Sequence, residues 1–262
     1  MKTLRIRLLL LLLIVIQSCS KNDSIDDDSG IDNNPNTVIA NQQPTGTSAN
    51  DLLSDNTFTS MIIEVVYVEG FKPTQNAIDN FVSFLENRTF KPNGIAVETR
   101  AITSPGNAPY TNQEIIEIED ANRTKYNSAN QIAVWSFFAD GSSAENTNSN
   151  VVLGTAYRNT SFVIYEETIH DLSNSTFEPD RTVLETTVIT HEFGHILGLT
   201  NLGTSMVVNH EDTEHAKHCN VESCLMYWAS ENGSGLDNLL GVNSAPQLDA
   251  QCIADLQANG GK

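Results

Sequence analysis

The chain has 262 residues, with 14 Lys+Arg against 33 Asp+Glu, a formal net charge of −19, 6 His and 4 Cys. That length supports a sizeable hydrophobic core, while the acidity excludes a nucleic-acid partner, since no surplus of cations replaces phosphate counterions. An apolar content of 39% excludes a wholly disordered chain, and the cysteines are too few for a disulfide-framed fold.

Lys2, Arg5 and Arg7 precede an unbroken apolar run from Leu8 to Ile16, then Gln17, Ser18 and Cys19. A basic start, a short apolar stretch and small residues at its end read as a secretory signal over residues 1–18. The run is too short to span a bilayer, which takes about 20 residues. Ile16-Gln17-Ser18-Cys19 resembles a bacterial lipobox, and that resemblance implies cleavage before Cys19 and lipidation of Cys19 itself. Residues 19–56 are rich in Asp, Asn, Ser, Thr and Gly, so they read as a flexible tether that buries too little surface to offset its ordering entropy. Asp26-Asp27-Asp28 resembles the acidic export tags of surface lipoproteins. The expected location is therefore extracytoplasmic, at the outer membrane or cell surface, with membrane contact through a lipid anchor only.

A single domain is expected from 57 to 262. Met61 to Val68 is strongly β-prone, and Gln75 to Leu85 places Ala77, Ile78, Phe81, Val82 and Leu85 at helical spacing. Ile95 to Ile102 reads as a strand. Thr111 to Tyr126 reads as a helix, opened by Thr111-Asn112-Gln113-Glu114, which resembles a capping box. Gln131 to Phe138, Val151 to Tyr157 and Ser161 to Tyr165 read as strands, and the polar stretch from Asp140 to Asn150 as an exposed loop. Pro179 and Asp180 precede a helix from Thr182 to Leu199. A long irregular stretch follows, then a short helix around Leu248, Cys252, Ile253 and Leu256.

The chemistry gathers in His191-Glu192-Phe193-Gly194-His195. Two histidines at i and i+4 share one helix face, with Cβ atoms about 5–6 Å apart, so both imidazoles reach one metal ion. Glu192, about 100° round the helix, meets a metal-bound water from the side without ligating. Ile189, Phe193 and Leu197 face the other way, towards a core. The expected metal is Zn2+.

His191-Glu192-x-x-His195-x-x-Gly198 is similar to the start of the metzincin zinc-protease signature, in which a third His follows the Gly by three residues. Here that place holds Asn201, a poor zinc ligand. Downstream, His218-Cys219-Asn-Val-Glu-Ser-Cys224-Leu225-Met226 resembles the segment of archaemetzincins in which the third His directly precedes Cys-x-x-x-x-Cys-x-Met. The resemblance implies His218 as third ligand, a long insertion from Leu199 to Lys217, and Met226 in a Met-turn beneath the metal. Asn201, His210, Asp212 and His215 stay open as rivals. Tyr227 and Trp228 are assigned no catalytic role. The fold implied is α/β (metzincin-like α+β): a mixed twisted sheet with packed helices, an active-site helix and a loop-rich C-terminal subdomain.

Archaemetzincins use four thiolates for a second zinc, and this chain has only Cys252 beyond Cys224, so a four-thiolate site cannot be built within one molecule of the mature domain. Cys219 and Cys224 are then expected as a disulfide in an oxidising compartment and Cys252 as a buried thiol, with pairing of Cys252 to either upstream Cys left open. The activity implied is zinc-dependent endopeptidase chemistry on a peptide or protein substrate, with Glu192 as general base and then general acid. The alternative is a non-catalytic surface-binding lipoprotein with a degenerate site, for which Asn201 speaks. A monomer is expected.

Overall fold

β1 (Ser60–Val68) is buried at seven of its nine positions, as befits a strand covered on both faces. Parallel pairing joins it to β2 (Ile95–Ile102) from Met61↔Ile95 and to β3 (Gln131–Phe138) from Ser60↔Gln131. β3 pairs in parallel with β5 (Ser161–Ile164), and β4 (Gly154–Arg158) runs antiparallel to β5. The sheet order is β2-β1-β3-β5-β4, which leaves β4 at one edge. The computed structural model describes residues 35–148 and 150–262, and these belong to one compact unit. The expected signal, the lipidation of Cys19 and the first part of the expected tether lie outside the described residues.

The two faces of the sheet follow the strand period of two. Met61, Ile63 and Val65 of β1, with Ile132, Val134 and Phe138 of β3, pack in one core with α3 (Gln75–Arg88) and α6 (Arg181–Ile196). Val66, Val68, Trp135 and Phe137 face the other way, towards Ile115 and Ile118 of α4 (Asn112–Asn122). The capping box expected at Thr111 and Glu114 is formed. α4 stops at Asn122, short of Tyr126, because Arg123 turns inward: its guanidinium donates to Glu119, Ser161 and the Ala133 carbonyl.

α6 carries the histidine pair. It begins where the Asp180 carboxylate accepts the Val183 N–H at 3.1 Å. Phe193 of α6 meets Phe81 of α3 edge-on at 5.1 Å and Phe162 of β5 at 6.2 Å, which fixes the helix against the sheet. The helix ends at Ile196, since Gly198 takes a φ of +81° that an L residue avoids. Every residue from Val183 to Ile196 is buried, Ile189 and Phe193 in the core and Glu192 and His195 along the wall of a cleft.

Two further differences concern the start of the domain. Residues 41–56, expected to be tether, belong to the folded domain: Leu52 and Leu53 of α2 (Ala49–Leu53) are fully buried in the core. Asn41, also buried, donates to Asn127 and to the Ala133 carbonyl at 2.9 and 3.1 Å. Average composition misses this because two leucines and one amide suffice to anchor a polar segment. A short helix α1 (Pro35–Ala40) precedes it. The other helix without a sequence forecast is α5 (Glu166–Asp171), directly after β5.

α5 and α6 bury an acid pair. Burial pushes Glu166 and Glu185 up to about 8, with Glu166 adding to the rise at Glu185. Glu185 accepts from the Thr74 amide at 2.9 Å, and the His170 imidazole lies 3.1 Å from Glu166. Carboxyls with raised folded pKa values contribute stability that is fully present below their unfolded value of 4.5 and lost as pH rises towards about 8. Glu166→Gln should therefore flatten this pH dependence, stabilising the chain at pH 8 relative to pH 5 by about 1–3 kcal/mol against wild type in urea unfolding. An unchanged difference between the two pH values counts against a shared buried proton.

Candidate metal centre

His191, Glu192 and His195 project from α6 into the protein, with His191 fully buried and His195 6% exposed. The Leu225 carbonyl lies 2.8 Å from His191 Nδ1. A carbonyl only accepts, so this bond fixes the proton on Nδ1 and leaves the Nε2 lone pair facing the site.

His218 arrives from the far side of the insertion. The Thr200 hydroxyl donates to the Lys217 carbonyl, so the excursion between them begins and ends at one place. Within it the chain doubles back: Asp212 N–H donates to the His218 carbonyl at 2.7 Å and Asn220 N–H to the His210 carbonyl at 2.9 Å. A closed excursion of this kind costs little at its base, because loop-closure entropy grows slowly with length. The His218 ring lies 5.3 Å from His191 and 5.1 Å from His195, centroid to centroid. Its Nδ1 sits 3.1 Å from the Ala216 carbonyl, which again leaves Nε2 as the free lone pair.

The rivals lie elsewhere. His215 pairs with Asp212 at 2.9 Å and stacks on Trp228 at 4.1 Å. Asn201 sits at φ +67°, a left-handed conformation that Asn tolerates, and donates to Glu211. His210 is fully buried beside Cys219 and Asp255.

Met226 is fully buried in the turn closed by Tyr227 N–H donating to the Cys224 carbonyl at 3.0 Å. Its thioether fills the space that a side chain at Gly194 would need, so the glycine inside the histidine motif lets this turn approach the helix. The turn also presents the Leu225 carbonyl to His191.

One member of the cluster was not foreseen. Glu231, ending the 3-10 turn Trp228–Glu231, brings its carboxylate to 3.5, 3.7 and 3.2 Å from Nε2 of His191, His195 and His218. Burial would raise its pKa, yet the three imidazoles hold it well below the usual carboxylate range. Burial in turn lowers His195 to about 4, so its ring is neutral at ordinary pH. Nothing in the sequence marked Glu231, since a lone Glu after a turn belongs to no recognised pattern.

Glu192 stands beside this group. Neither of its buried oxygens has a close side-chain partner; burial first and Glu231 second raise its pKa well above 4.5, against a smaller lowering by the neighbouring Ala156 backbone N–H. A cleft of about 330 Å3 opens over it, lined by Gly154, Thr155 and Ala156 of β4 together with His195, His218 and Glu231. A larger cleft of about 630 Å3 lies between α3, the start of α6 and residues 242–247, away from these histidines. Size therefore does not choose the site; the convergent donors do.

These residues fit a divalent cation. Nε2 of His191 and of His218 is buried without a hydrogen-bond partner, an arrangement that costs free energy unless a cation lies between them. Three imidazoles converging on one place are a zinc donor set.

A second cluster corrects the expected disulfide. Cys219, Cys224 and Cys252 are buried free thiols. Cys224 and Cys252 of α7 (Ala250–Ala258) stand 3.6 Å apart, sulfur to sulfur, and His210 Nδ1 is 3.4 Å from the Cys219 sulfur. A tetrahedral ion with Zn–S bonds of about 2.3 Å spaces its sulfurs by roughly 3.8 Å, so these separations suit one ion. The Asp255 carboxylate, 2.8 Å from His210 Nε2, turns the other ring nitrogen towards the thiols. His210 thus stands beside the thiols where the cysteine count leaves a place for a fourth donor, as does the Asp249 carboxylate, 3.9 Å from the Cys219 sulfur.

No family model matches the sequence, and no curated protein matches it. Among solved structures, the fold is similar to the crystal structure of archaemetzincin from Methanopyrus kandleri, with a TM-score of 0.51. The two share 18% identity, over 77% of this chain and 96% of that one. The mixed α/β fold expected from the sequence is therefore shared with that protein.

Proposed function

We propose that the chain is a zinc metallopeptidase that hydrolyses internal peptide bonds. The observation that carries this reading is the convergence of three buried imidazole nitrogens on one place, beside the buried Glu192 carboxyl and under a cleft. His191, His195 and His218 would hold the ion, which when bound supplies Lewis acidity and an acidified water.

The chain's own residues account for the remaining steps. The Leu225 and Ala216 carbonyls orient the His191 and His218 rings. β4, an edge strand lining the cleft, offers backbone groups to which an extended peptide can add as a further strand. Glu192 takes a proton from the attacking water and returns it to the leaving amine. Burial favours its protonated form, and a nearby divalent charge would draw the pKa back towards neutrality, where one carboxyl serves as both base and acid.

Gly154 matters here because a Cβ at that position would lie 2.8 Å from Glu192 Cγ and 2.9 Å from its Oε1. Gly154→Ala should displace Glu192 and lower kcat about tenfold or more while leaving zinc content unchanged. Undiminished turnover would separate Glu192 from the chemistry.

The three free thiols and His210 support a second, structural zinc. Anchoring outside the cytoplasm through Cys19 rests on the leader sequence alone and completes the proposal. The reading is tested by cleavage of an unstructured polypeptide, lost on chelation and restored by zinc. His218 also removes the reason for a degenerate site, since Asn201 need not supply a ligand.

A further inference from the structure

The geometry points to Glu231 as a fourth protein ligand of the same metal, so that the site rests closed and opens when this carboxylate swings away. This inference rests on the metal-centre reading above. It concerns one side chain of the chain itself.

The first argument is spacing. Ligand atoms on a tetrahedral ion with bonds of about 2.0–2.1 Å lie roughly 3.3–3.4 Å apart. Glu231 Oε2 lies 3.5 Å from Nε2 of His191 and 3.7 Å from that of His195, and Oε1 lies 3.2 Å from that of His218. The carboxylate thus reaches all three donor nitrogens at close to ligand–ligand spacing, as a fourth ligand would.

The second argument is convergence. Carbonyl oxygens at Nδ1 of His191 and of His218 leave Nε2 of both rings turned towards the Glu231 carboxylate, at 3.5 and 3.2 Å. The three rings gather with centroids 4.8–5.3 Å apart in a buried site, so four donor groups converge on one place. One divalent ion satisfies every group at once.

The third argument is mobility with a fixed base. The Glu231 carbonyl accepts the Leu153 N–H at 2.9 Å, and Gly233 N–H donates to the Val151 carbonyl at 2.9 Å. This pairing holds the backbone of residues 231–233 along the chain that leads into β4. The side chain keeps 29% exposure, so rotating it outward moves it into the solvent of the cleft and not into the core. A carbonyl presented by a peptide lying along β4 must displace this carboxylate to reach the ion. The resting chain is then a slow peptidase whose metal is tightly held.

The test uses the full chain and its Glu231→Gln and Glu231→Ala variants, with circular dichroism and retention of the thiol-bound zinc reporting that each is folded. Zinc affinity of the histidine site is read by competition with a chromophoric chelator, and access to the metal by calorimetric titration with acetohydroxamate. We expect both variants to bind zinc at least tenfold more weakly and acetohydroxamate at least tenfold more tightly. Zinc and acetohydroxamate affinities that match wild type would overturn the fourth ligand, and peptide cleavage by the same samples would leave the peptidase reading standing. The expected shifts in variants that retain zinc yet cleave nothing would uphold the ligand and remove the peptidase reading.

Discussion

Glu192→Gln should reduce peptide hydrolysis by about a hundredfold to ten-thousandfold, the usual worth of a general acid–base group, while the zinc content stays as in wild type. The carboxyl is 1% exposed, its oxygens have no close side-chain partner, and it belongs to none of the three groups that could hold a metal. Such an arrangement is costly for a purely structural group. Glutamine has the same shape and fills the same space beneath Gly154, so packing is preserved and only the proton transfer is removed. Circular dichroism and metal analysis on the same preparation separate lost chemistry from lost fold. Full turnover in this variant would assign the proton transfer to some other group.

The second large effect concerns the ligand that the short motif fails to supply. His218→Ala should remove zinc from the histidine site, weakening binding by more than the 10–100-fold that follows loss of a supporting hydrogen bond. The wild-type chain should carry two zinc equivalents, and His218→Ala one, because His210, Cys219, Asp249 and Cys252 form a separate group, with the Cys224 sulfur 3.6 Å from that of Cys252. Asn201→Ala and His215→Ala should leave both equivalents in place, since Asn201 binds Glu211 and His215 stacks on Trp228. Two equivalents retained by His218→Ala would show that another side chain completes the site.

The chain order of the sheet strands and of α3, α4, α6 and α7 could be read from residue periodicity, because each carries a clear period of two or of about 3.6. α5 could not, since six residues with buried Glu166 show no such period. The metal motif could be read because HExxH binds chemistry to local helix geometry; its third ligand could be reached only through resemblance, and the closed base from Thr200 to Lys217 supplies the physical reason. Other features required distant segments to meet. Glu231 joins the histidines across a turn, and His210 joins the cysteines from inside the insertion. Asn41, Leu52 and Leu53 escaped notice because their partners lie far along the chain while their neighbours in sequence are polar.

The disulfide expectation failed for a related reason. Counting thiols assumes that cysteine partners are cysteines, whereas the structure sets an imidazole, oriented by Asp255, beside the Cys219 sulfur. The same lesson applies at the histidine site, where the Glu231 carboxylate joins the three imidazoles from across a turn.

The most direct measurement is mass-spectrometric mapping of products from an unstructured polypeptide incubated with the zinc-loaded chain. Cleavage at internal bonds, faster with Glu231→Gln and absent with Glu192→Gln, is the predicted result. Intact substrate after incubation with both the wild-type chain and Glu231→Gln, each shown to hold zinc at the histidine site, would contradict it.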